Sequence, residues 1–180
     1  MKKNWEIKKL GEVCEIEYGT RVVKKRDAGT IYSVYGGGGA TFFMDSYNRE
    51  DCLIIARFGM SKQCTRFVKG KIFLNDSGLT VKSKNLKKIY QKFLDWYFLS
   101  LNDYIYSLSR GAAQKNLNLP MFRKILIPIP PLSEQKQIVQ QLDELQSKTK
   151  KLEEIYQKKI DDLEELKKSI LQKAFNAELT

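Results

Sequence analysis

Two segments of the sequence combine basic and amide side chains with small residues, and these residue types are suited to reading nucleic-acid bases. The first is RFGMSKQCTR at 57–66 and the second is SRGAAQKNLN at 109–118. In the major groove of DNA, Arg and Lys can pair with guanine, and Gln and Asn with adenine, through paired hydrogen bonds. The candidate contacts are Arg57, Lys62, Gln63, Arg66, Arg110, Gln114, Lys115 and Asn116. Because surface loops are polar in any protein, each of these residues taken alone is a weak signal.

A run of four glycines lies in YGGGGA at 35–40. Glycine tolerates positive φ and has no Cβ to keep the chain away from a neighbouring surface. The run therefore suits either a close ligand contact or a tight, mobile turn, and the glycines alone favour neither. We count Tyr35, Gly37, Gly38 and Arg21 among the candidate DNA contacts.

The net charge of +11 is concentrated before residue 133. Residues 1–132 carry 23 Lys plus Arg against 11 Asp plus Glu, which gives +12, while residues 133–180 carry 9 against 10, which gives −1. A part this basic favours a polyanionic partner, because each phosphate neutralised by Lys or Arg releases condensed counterions. The alternative is a charge excess that only keeps the protein soluble.

The patterns of common catalytic sites are missing from the sequence. It contains no histidine, so it has neither a Ser-His or Cys-His pair nor an imidazole metal ligand. It also has no GxxxxGK[ST] phosphate loop, no GxGxxG after a strand and no Asn-Pro-Pro-Tyr segment of the adenine methyltransferase kind. Glu-x-Lys occurs at 6–8 and 165–167, but no partner carboxylate is placed by the sequence. We therefore expect a chain that is not an enzyme, with no catalytic residue, metal site or cofactor of its own.

The cysteines and the apolar residues bear on the cellular compartment. Cys14, Cys52 and Cys64 are odd in number and form no CxxC pair, which predicts reduced and mostly buried thiols. No apolar run approaches the roughly 20 residues needed to cross a bilayer, and residues 1–13 lack the apolar centre of a signal peptide. The expected location is the cytoplasm.

The elements that must hold the candidate residues are mixed in type. CLIIARFG at 52–59 and TRFVKGKIFL at 65–74 are typical of strands, with a possible turn at residues 69–71. Residues 91–108 place six apolar side chains on one helical face, which predicts a core helix rather than a base-stacking surface. KILIPIP at 124–130 is again extended. We predict an α+β domain over residues 1–132, with a curved, mostly β sheet plus helices.

A long helix is predicted over residues 133–180. Pro131 cannot continue a helix, Ser133 is a good N-cap, and Glu134 suits the first turn. From residue 138 to Ala177, positions alternately four and three apart are mostly apolar, which is typical of a coiled-coil seam. The seam residues are Ile138, Leu142, Leu145, Leu152, Tyr156, Leu163, Leu166 and Ile170. Such a helix would be about 66 Å long, so we expect it to project from the domain and pair with a second copy. The alternative is a helix folded back on its own domain.

Five segments together resemble a known family: WEIKKLGEVCEIEYGT (5–20), YSVYGGGGATFFMDSYN (32–48), LNDSGLTVK (74–82), RGAAQKNLN (110–118) and IPIPPLSEQKQIVQQLDEL (127–145). They are similar to the specificity subunit of type I restriction-modification enzymes. The proline joint that precedes the long helix is the most specific part. The resemblance covers nearly the whole chain, as one target-recognition domain followed by one spacer helix.

The resemblance implies a DNA-reading subunit with no chemistry of its own. It would assemble with modification subunits, which methylate adenine with S-adenosylmethionine, and with restriction subunits, which use ATP; those cofactors and Mg²⁺ are expected on the partners. The recognition domain would be similar in fold to that of adenine methyltransferases.

The length of the chain departs from the family pattern. The usual subunit is about twice as long, with two recognition domains and two helices around a pseudo-twofold axis. We therefore expect a half subunit, whose copies pair their helices antiparallel and read a symmetric bipartite target. The alternative is a stand-alone dimeric DNA-binding protein, such as a regulator, without enzyme partners.

Overall fold

The computed structural model describes residues 5–176 of the chain. The contacts divide the chain after Val139 into a first compact unit, residues 1–139, and a second unit, residues 140–180. The final position of the predicted seam, Ala177, lies outside the described residues.

The described residues form ten strands and six helices. The strands are β1 (Glu6–Lys9), β2 (Cys14–Tyr18), β3 (Tyr32–Gly36), β4 (Gly39–Met44), β5 (Arg49–Ala56), β6 (Thr65–Leu74), β7 (Gly78–Ser83), β8 (Ser109–Arg110), β9 (Asn116–Leu117) and β10 (Leu126–Ile129). The helices are α1 (Leu10–Val13), α2 (Lys24–Asp27), α3 (Gln91–Ser100), α4 (Asn102–Ser107), α5 (Leu119–Phe122) and α6 (Leu132–Phe175). The predicted α+β class, with a curved sheet and one long C-terminal helix, is confirmed.

Six strands form the main sheet, in the order β2-β7-β5-β6-β3-β4. All neighbours are antiparallel except β3 and β6, where Tyr35 is opposite Leu74. The central strand β5 is buried on both faces, because Leu53 and Ile55 belong to one hydrophobic cluster while Ile54 belongs to another. This two-sided burial explains the continuous apolar run at 53–56. Two separate ribbons, β1-β10 and β8-β9, complete the strand pairs.

The turn predicted at residues 69–71 is wrong, because β6 is one continuous strand of ten residues. Gly70 instead lies in a bulge, with φ at +80°, and the register shifts on the facing strand at Asp51. The Gly70 amide donates to Asp51 Oδ1 at 2.7 Å. A glycine in a strand marks a bulge as readily as a turn, and here the flanking residues continue the ladder.

The core interpretation of residues 91–108 is confirmed, but the segment forms two helices instead of one. Phe98 and Ile105 are fully buried, and Tyr97, Leu101 and Leu108 pack against the same cluster. The helices separate at Leu101, where φ is −92° and ψ is 10°. The break places Asn102 at the first position of α4.

The proline joint leads directly into α6, which begins at Leu132, one residue before the predicted cap at Ser133. Gln135 is fully buried in the first unit. Its side chain accepts from the Tyr90 amide at 2.8 Å and donates to the Lys88 and Pro130 carbonyls at 2.8 Å each. These three bonds attach the first turn of the helix to the body of the first unit.

In the described range 5–176, no helix is long and apolar enough to cross a membrane. The same residues contain no group of His, Cys, Asp and Glu side chains that could hold a metal ion.

Candidate nucleic-acid interface

Four loop segments meet where strands of the main sheet end. They form a surface that we call the loop edge, which consists of residues 37–38, 57–64, 75–77 and 109–118. The two segments singled out in the sequence bond directly to each other. The Met60 amide donates to the Lys115 carbonyl at 2.9 Å, and the Leu117 amide donates to the Arg57 carbonyl at 2.8 Å. The chain folds in this way because β8 and β9 form a ribbon whose connecting residues run beside the loop after β5. Residues separated by about 50 positions thereby form one surface.

The glycine run forms a two-residue hairpin turn, since Gly36 pairs with Gly39 across Gly37 and Gly38. A Cβ on Gly37 would lie 2.5 Å from the Phe58 carbonyl oxygen. The Gly37 amide donates a hydrogen bond to Ser77 Oγ at 2.9 Å. Gly37 is therefore needed for packing against the chain itself. Gly38 differs, because nothing lies within 4 Å of the position of its Cβ. Of the two turn glycines, Gly38 is the one that leaves room for a ligand.

Asn102 anchors the end of the loop that follows β5. Its Oδ1 accepts from the amides of Cys64 and Thr65 at 3.0 and 3.1 Å, and its Nδ2 donates to the Lys62 carbonyl at 2.7 Å. The backbone that carries Lys62 is thus held by a side chain from the break between α3 and α4. Sequence reasoning missed this residue, because the contact joins positions about 40 apart.

Several predicted side chains extend freely from the loop edge. Lys62, Gln63, Gln114 and Lys115 are exposed, and neither 57–64 nor 109–118 contains an acidic residue. Lys115 Nζ lies 5.1 Å from the centroid of the Tyr106 ring. The backbone of this edge is held by internal hydrogen bonds, while the side chains of Lys62, Gln63 and Gln114 are exposed to a partner.

Other predicted side chains are already engaged by the protein. Arg66 Nη2 donates to the Gln63 carbonyl at 3.1 Å and lies 3.5 Å from the Gly37 carbonyl. Asn116 Oδ1 accepts from the Gly59 amide at 3.3 Å. Arg110 Nε and Nη2 lie 2.8 and 2.9 Å from the side-chain oxygen of Asn118 when that amide is oriented to accept. These groups hold the loops together, and the two arginines also add positive charge.

Tyr35 and Arg21 differ from the rest of the predicted set. Tyr35 packs against the second hydrophobic cluster, with Ile54, Val68, Ile72 and Leu74. Arg21 is exposed in the segment between β2 and α2, and the backbone just before it is tied to the sheet by the Thr20 amide, which donates to the Leu74 carbonyl at 2.9 Å. Their roles as DNA contacts remain predictions.

Arg57 lies at the centre of the loop edge, against two aromatic rings that sequence reasoning did not include. Its Cζ is 4.6 Å from the Tyr18 ring centroid and 4.3 Å from that of Phe58. The Arg57 and Phe58 amides both donate to the Ser77 carbonyl, at 2.8 and 3.2 Å. Tyr18 ends β2 beside the start of β7, so only the strand order brings it to this loop.

The three cysteine thiols are unsuited to nucleophilic chemistry. Burial raises the pKa of Cys14 to about 12 and the pKa values of Cys52 and Cys64 to about 11 each. Cys14 and Cys64 are buried and Cys52 is half-buried, with no disulfide among the described residues. The predicted burial is confirmed for Cys14 and Cys64, while the reduced state of the three thiols remains a prediction.

A cavity of about 380 Å³ opens on the sheet where β5 and β7 diverge, away from the loop edge. The two strands pair only at Ile55–Leu79 and Ala56–Gly78, so the gap widens toward Arg49. Asp95 of α3 lines this cavity and accepts from Gln91 Nε2 at 2.9 Å. Burial raises the pKa of the Asp95 carboxyl to about 6.

In the second unit, α6 presents an exposed apolar face. Six of the predicted seam residues, Leu145, Leu152, Tyr156, Leu163, Leu166 and Ile170, are between 48% and 64% exposed. Of the other two, Ile138 lies in the first unit, and both Ile138 and Leu142 are half-buried. Apolar side chains this exposed along one helix are typical of a surface that another helix covers.

Additional exposed apolar residues on this helix were not in the predicted seam: Ile155, Ile160, Leu171 and Phe175. Ile160 follows Lys159, a polar residue at a seam position, and the series Leu152, Tyr156, Ile160, Leu163 has spacings of four, four and three. Because Tyr156 and Leu163 remain seven residues apart, Ile160 can replace Lys159 in the seam without a shift of the heptad phase. Ile160 is visible in the sequence as an apolar residue next to Lys159, but a strict alternation of four and three residues does not include it.

A family model described as the type I restriction modification DNA specificity domain matches residues 2–165. The chain belongs to this family. The description of this family as a DNA specificity domain agrees with the expected specificity role.

Curated relatives in this specificity family are named specificity subunits. The type I restriction enzyme MjaVIII specificity subunit of Methanocaldococcus jannaschii is 32% identical over 59% of this chain and 25% of its own length. The putative type I restriction enzyme specificity subunit S.HindORF215P of Haemophilus influenzae is 31% identical over 80% of this chain and 38% of its own length. The chain thus spans from a quarter to two fifths of the length of these relatives.

Solved structures of the family share the fold. The S subunit of the type I restriction-modification system from M. genitalium matches with a TM-score of 0.71 and 19% identity, over 80% of this chain and 39% of that one. The HsdS subunit from Thermoanaerobacter tengcongensis matches with a TM-score of 0.65 and 21% identity, over 99% of this chain and 46% of that one.

Proposed function

We propose that this specificity-family chain reads duplex DNA through its loop edge, as the specificity component of a type I restriction-modification system. The observation that carries the proposal is the convergence of 57–64 and 109–118 on one surface. Their exposed groups include Lys62, Gln63, Gln114 and Lys115, and neither segment has an acidic residue. Cationic groups suit phosphates, and amide groups suit base edges.

The charge of the first unit favours the same partner. The excess of +12 over residues 1–132 would attract DNA over a longer range than any single contact. A loop edge held by backbone bonds such as Met60 to Lys115 needs little ordering when it binds. Less binding free energy is then lost to the entropy cost of ordering the loops, which favours specific binding over non-specific binding.

For assembly, the proposal is a homodimer formed through α6. The exposed apolar residues of the second unit run from Leu145 to Ile170, over about 25 residues. A second copy of the same helix is the simplest partner, because an antiparallel pair brings identical seams together. A twofold dimer would present two identical loop edges, so its target would be symmetric and bipartite.

The proposed complex also contains modification subunits, which carry S-adenosylmethionine, and restriction subunits, which carry ATP and Mg²⁺. In this arrangement the chain supplies recognition and its partners supply the chemistry. The proposed location is the cytoplasm, where the DNA target lies. The alternative function, a stand-alone dimeric DNA-binding protein, rests on the same loop edge and the same helix.

DNA binding is tested with the full chain by fluorescence anisotropy on random-sequence duplexes at several salt concentrations. We expect log K to fall linearly with log salt, by about 0.9 for each phosphate contact, across roughly 50 to 200 mM. Affinity that ignores salt in this range would contradict the proposal. Capture of an adenine methyltransferase by the tagged chain from its own cells separates the proposed complex from a stand-alone regulator, and a chain that binds DNA without such a partner would favour the regulator.

A further inference from the structure

The Arg57 guanidinium lies against two aromatic rings, and within residues 5–176 it has no acceptor for its hydrogen bonds. Its Nε is buried and has no hydrogen-bond partner in the structure. Two aromatic rings lie against the guanidinium, that of Tyr18 at 4.6 Å and that of Phe58 at 4.3 Å. Because Nε is enclosed by the protein, a base edge could reach the guanidinium only at its terminal Nη groups.

The backbone of Arg57 and the strand that carries Tyr18 are both held in place. The Arg57 amide donates to the Ser77 carbonyl, and the Arg57 carbonyl accepts from the Leu117 amide, both at 2.8 Å. Tyr18 is held by the β2–β7 ladder opposite Leu79. Stacking on aromatic rings fixes the plane of a guanidinium while leaving its edge donors unused. Arg57 is therefore unlike Lys62 and Lys115, which are exposed and have long, mobile side chains.

We propose that Arg57 is a base-reading residue that donates paired hydrogen bonds to a guanine, and that Tyr18 and Phe58 are its positioning residues. This inference rests on the proposed function. A guanine presents two acceptors, O6 and N7, in the major groove, and they match the fork of a guanidinium. A phosphate can also accept two bonds from a guanidinium, but it does not require one, and the loop edge has Lys62 and Lys115 for phosphate contacts. Base reading depends on orientation, and the two rings supply it.

The test is selection of bound duplexes from a randomised DNA library by the full chain, followed by affinity measurements on the selected site and its single-base variants. The variants are Arg57→Lys, which keeps the charge but not the fork, and Tyr18→Leu, which removes a ring. Tyr18→Phe serves as the matched control, because it keeps the ring and loses only the hydroxyl.

With the wild type we expect a selected site in which one G·C pair per half-site depends on Arg57. Arg57→Lys should bind this site roughly 5- to 150-fold more weakly and lose the preference for G·C at that pair alone, with the other positions unchanged. Tyr18→Leu should relax the same position, while Tyr18→Phe should keep the wild-type preference. Thermal melting of each variant would show whether the chain is still folded.

Two other results would overturn the inference. A uniform loss of affinity on all sequences in Arg57→Lys, with the base preferences intact, would make Arg57 a phosphate contact. A relaxed position in Tyr18→Phe as well as in Tyr18→Leu would remove the positioning role of the ring. Either result leaves the proposed function in place, whereas a wild type that binds no duplex would remove the proposed function first.

Discussion

The side-chain oxygen of Gln135, the fourth residue of α6, accepts a hydrogen bond from the backbone amide of Tyr90 at 2.8 Å. The amide nitrogen of the same side chain donates to the Lys88 and Pro130 carbonyls. A fully buried glutamine with all its groups bonded fixes one conformation, because any displacement leaves polar groups without partners. It secures the start of the helix to the loop before α3.

Replacing Gln135 with Glu should destabilise the first unit. The carboxylate has no hydrogens for the Lys88 and Pro130 carbonyls, and it places a charge in a buried site. We expect a loss of about 3 kcal/mol in the free energy of unfolding, measured by urea denaturation. Gln137→Glu is the matched control, because Gln137 is exposed on the same helix. Equal effects of the two substitutions would show that the Gln135 bonds contribute nothing to stability.

Asp95 should make stability fall as pH rises. Burial raises the pKa of its carboxyl from 3.8 to about 6 in the folded chain, so the folded state binds more protons than the unfolded state between these values. The stabilising contribution is complete below pH about 4 and is lost as pH rises through about 6. Asp95→Asn should therefore stabilise the chain by about 3 kcal/mol at pH 8 and have little effect at pH 4. Melting temperatures at the two pH values test this.

An exposed carboxylate provides the comparison for Asp95. Glu15→Gln removes one carboxylate from an exposed position of β2. A stabilisation at pH 8 that is the same for Glu15→Gln and Asp95→Asn would indicate a general charge effect rather than burial.

Charge reversal at the loop edge should weaken DNA binding. Lys62→Glu and Lys115→Glu each replace an exposed cation on 57–64 or 109–118. For each variant we expect weaker binding on every sequence and a salt slope smaller by about 1, because one phosphate contact is lost. Lys87→Glu is the control, since Lys87 is exposed beyond the opposite end of β7. If all three variants bind alike, the loop edge is the wrong surface.

Carboxylates in the helix seam should separate the proposed dimer. Leu145→Glu, Leu152→Glu and Leu163→Glu together place charges where apolar contact is expected, at a total cost of several kcal/mol. Analytical ultracentrifugation should show a monomer for this triple variant. The combination Ser147→Glu, Gln157→Glu and Gln172→Glu adds the same charge away from the seam and should remain a dimer. A dimer that survives the seam variant would assemble through another surface.

The sequence by itself determined the elements whose signals are local. The prolines before Leu132 mark the start of α6 within one residue, because Pro cannot continue a helix. The seam periodicity predicted a long helix with an apolar face, and Leu145 to Ile170 form one. Aromatic and aliphatic spacing marked residues 91–108 as core, although the break at Leu101 was missed. The break between α3 and α4 lies where Asn102 bonds to a loop about 40 residues away. A helical periodicity contains no information about such a distant contact.

Only the tertiary structure decided how the candidate residues divide into roles. Gly37 and Gly38 are adjacent residues of the same type. Gly37 packs on the Phe58 carbonyl, whereas Gly38 faces open space. Gly70 has the signature of a turn but forms a bulge, because Asp51 of the facing strand accepts from its amide. Arg57 resembles the other basic residues of its loop until the strand order brings Tyr18 beneath it. Each of these differences depends on a neighbour supplied by strand pairing, and local composition carries no information about that neighbour.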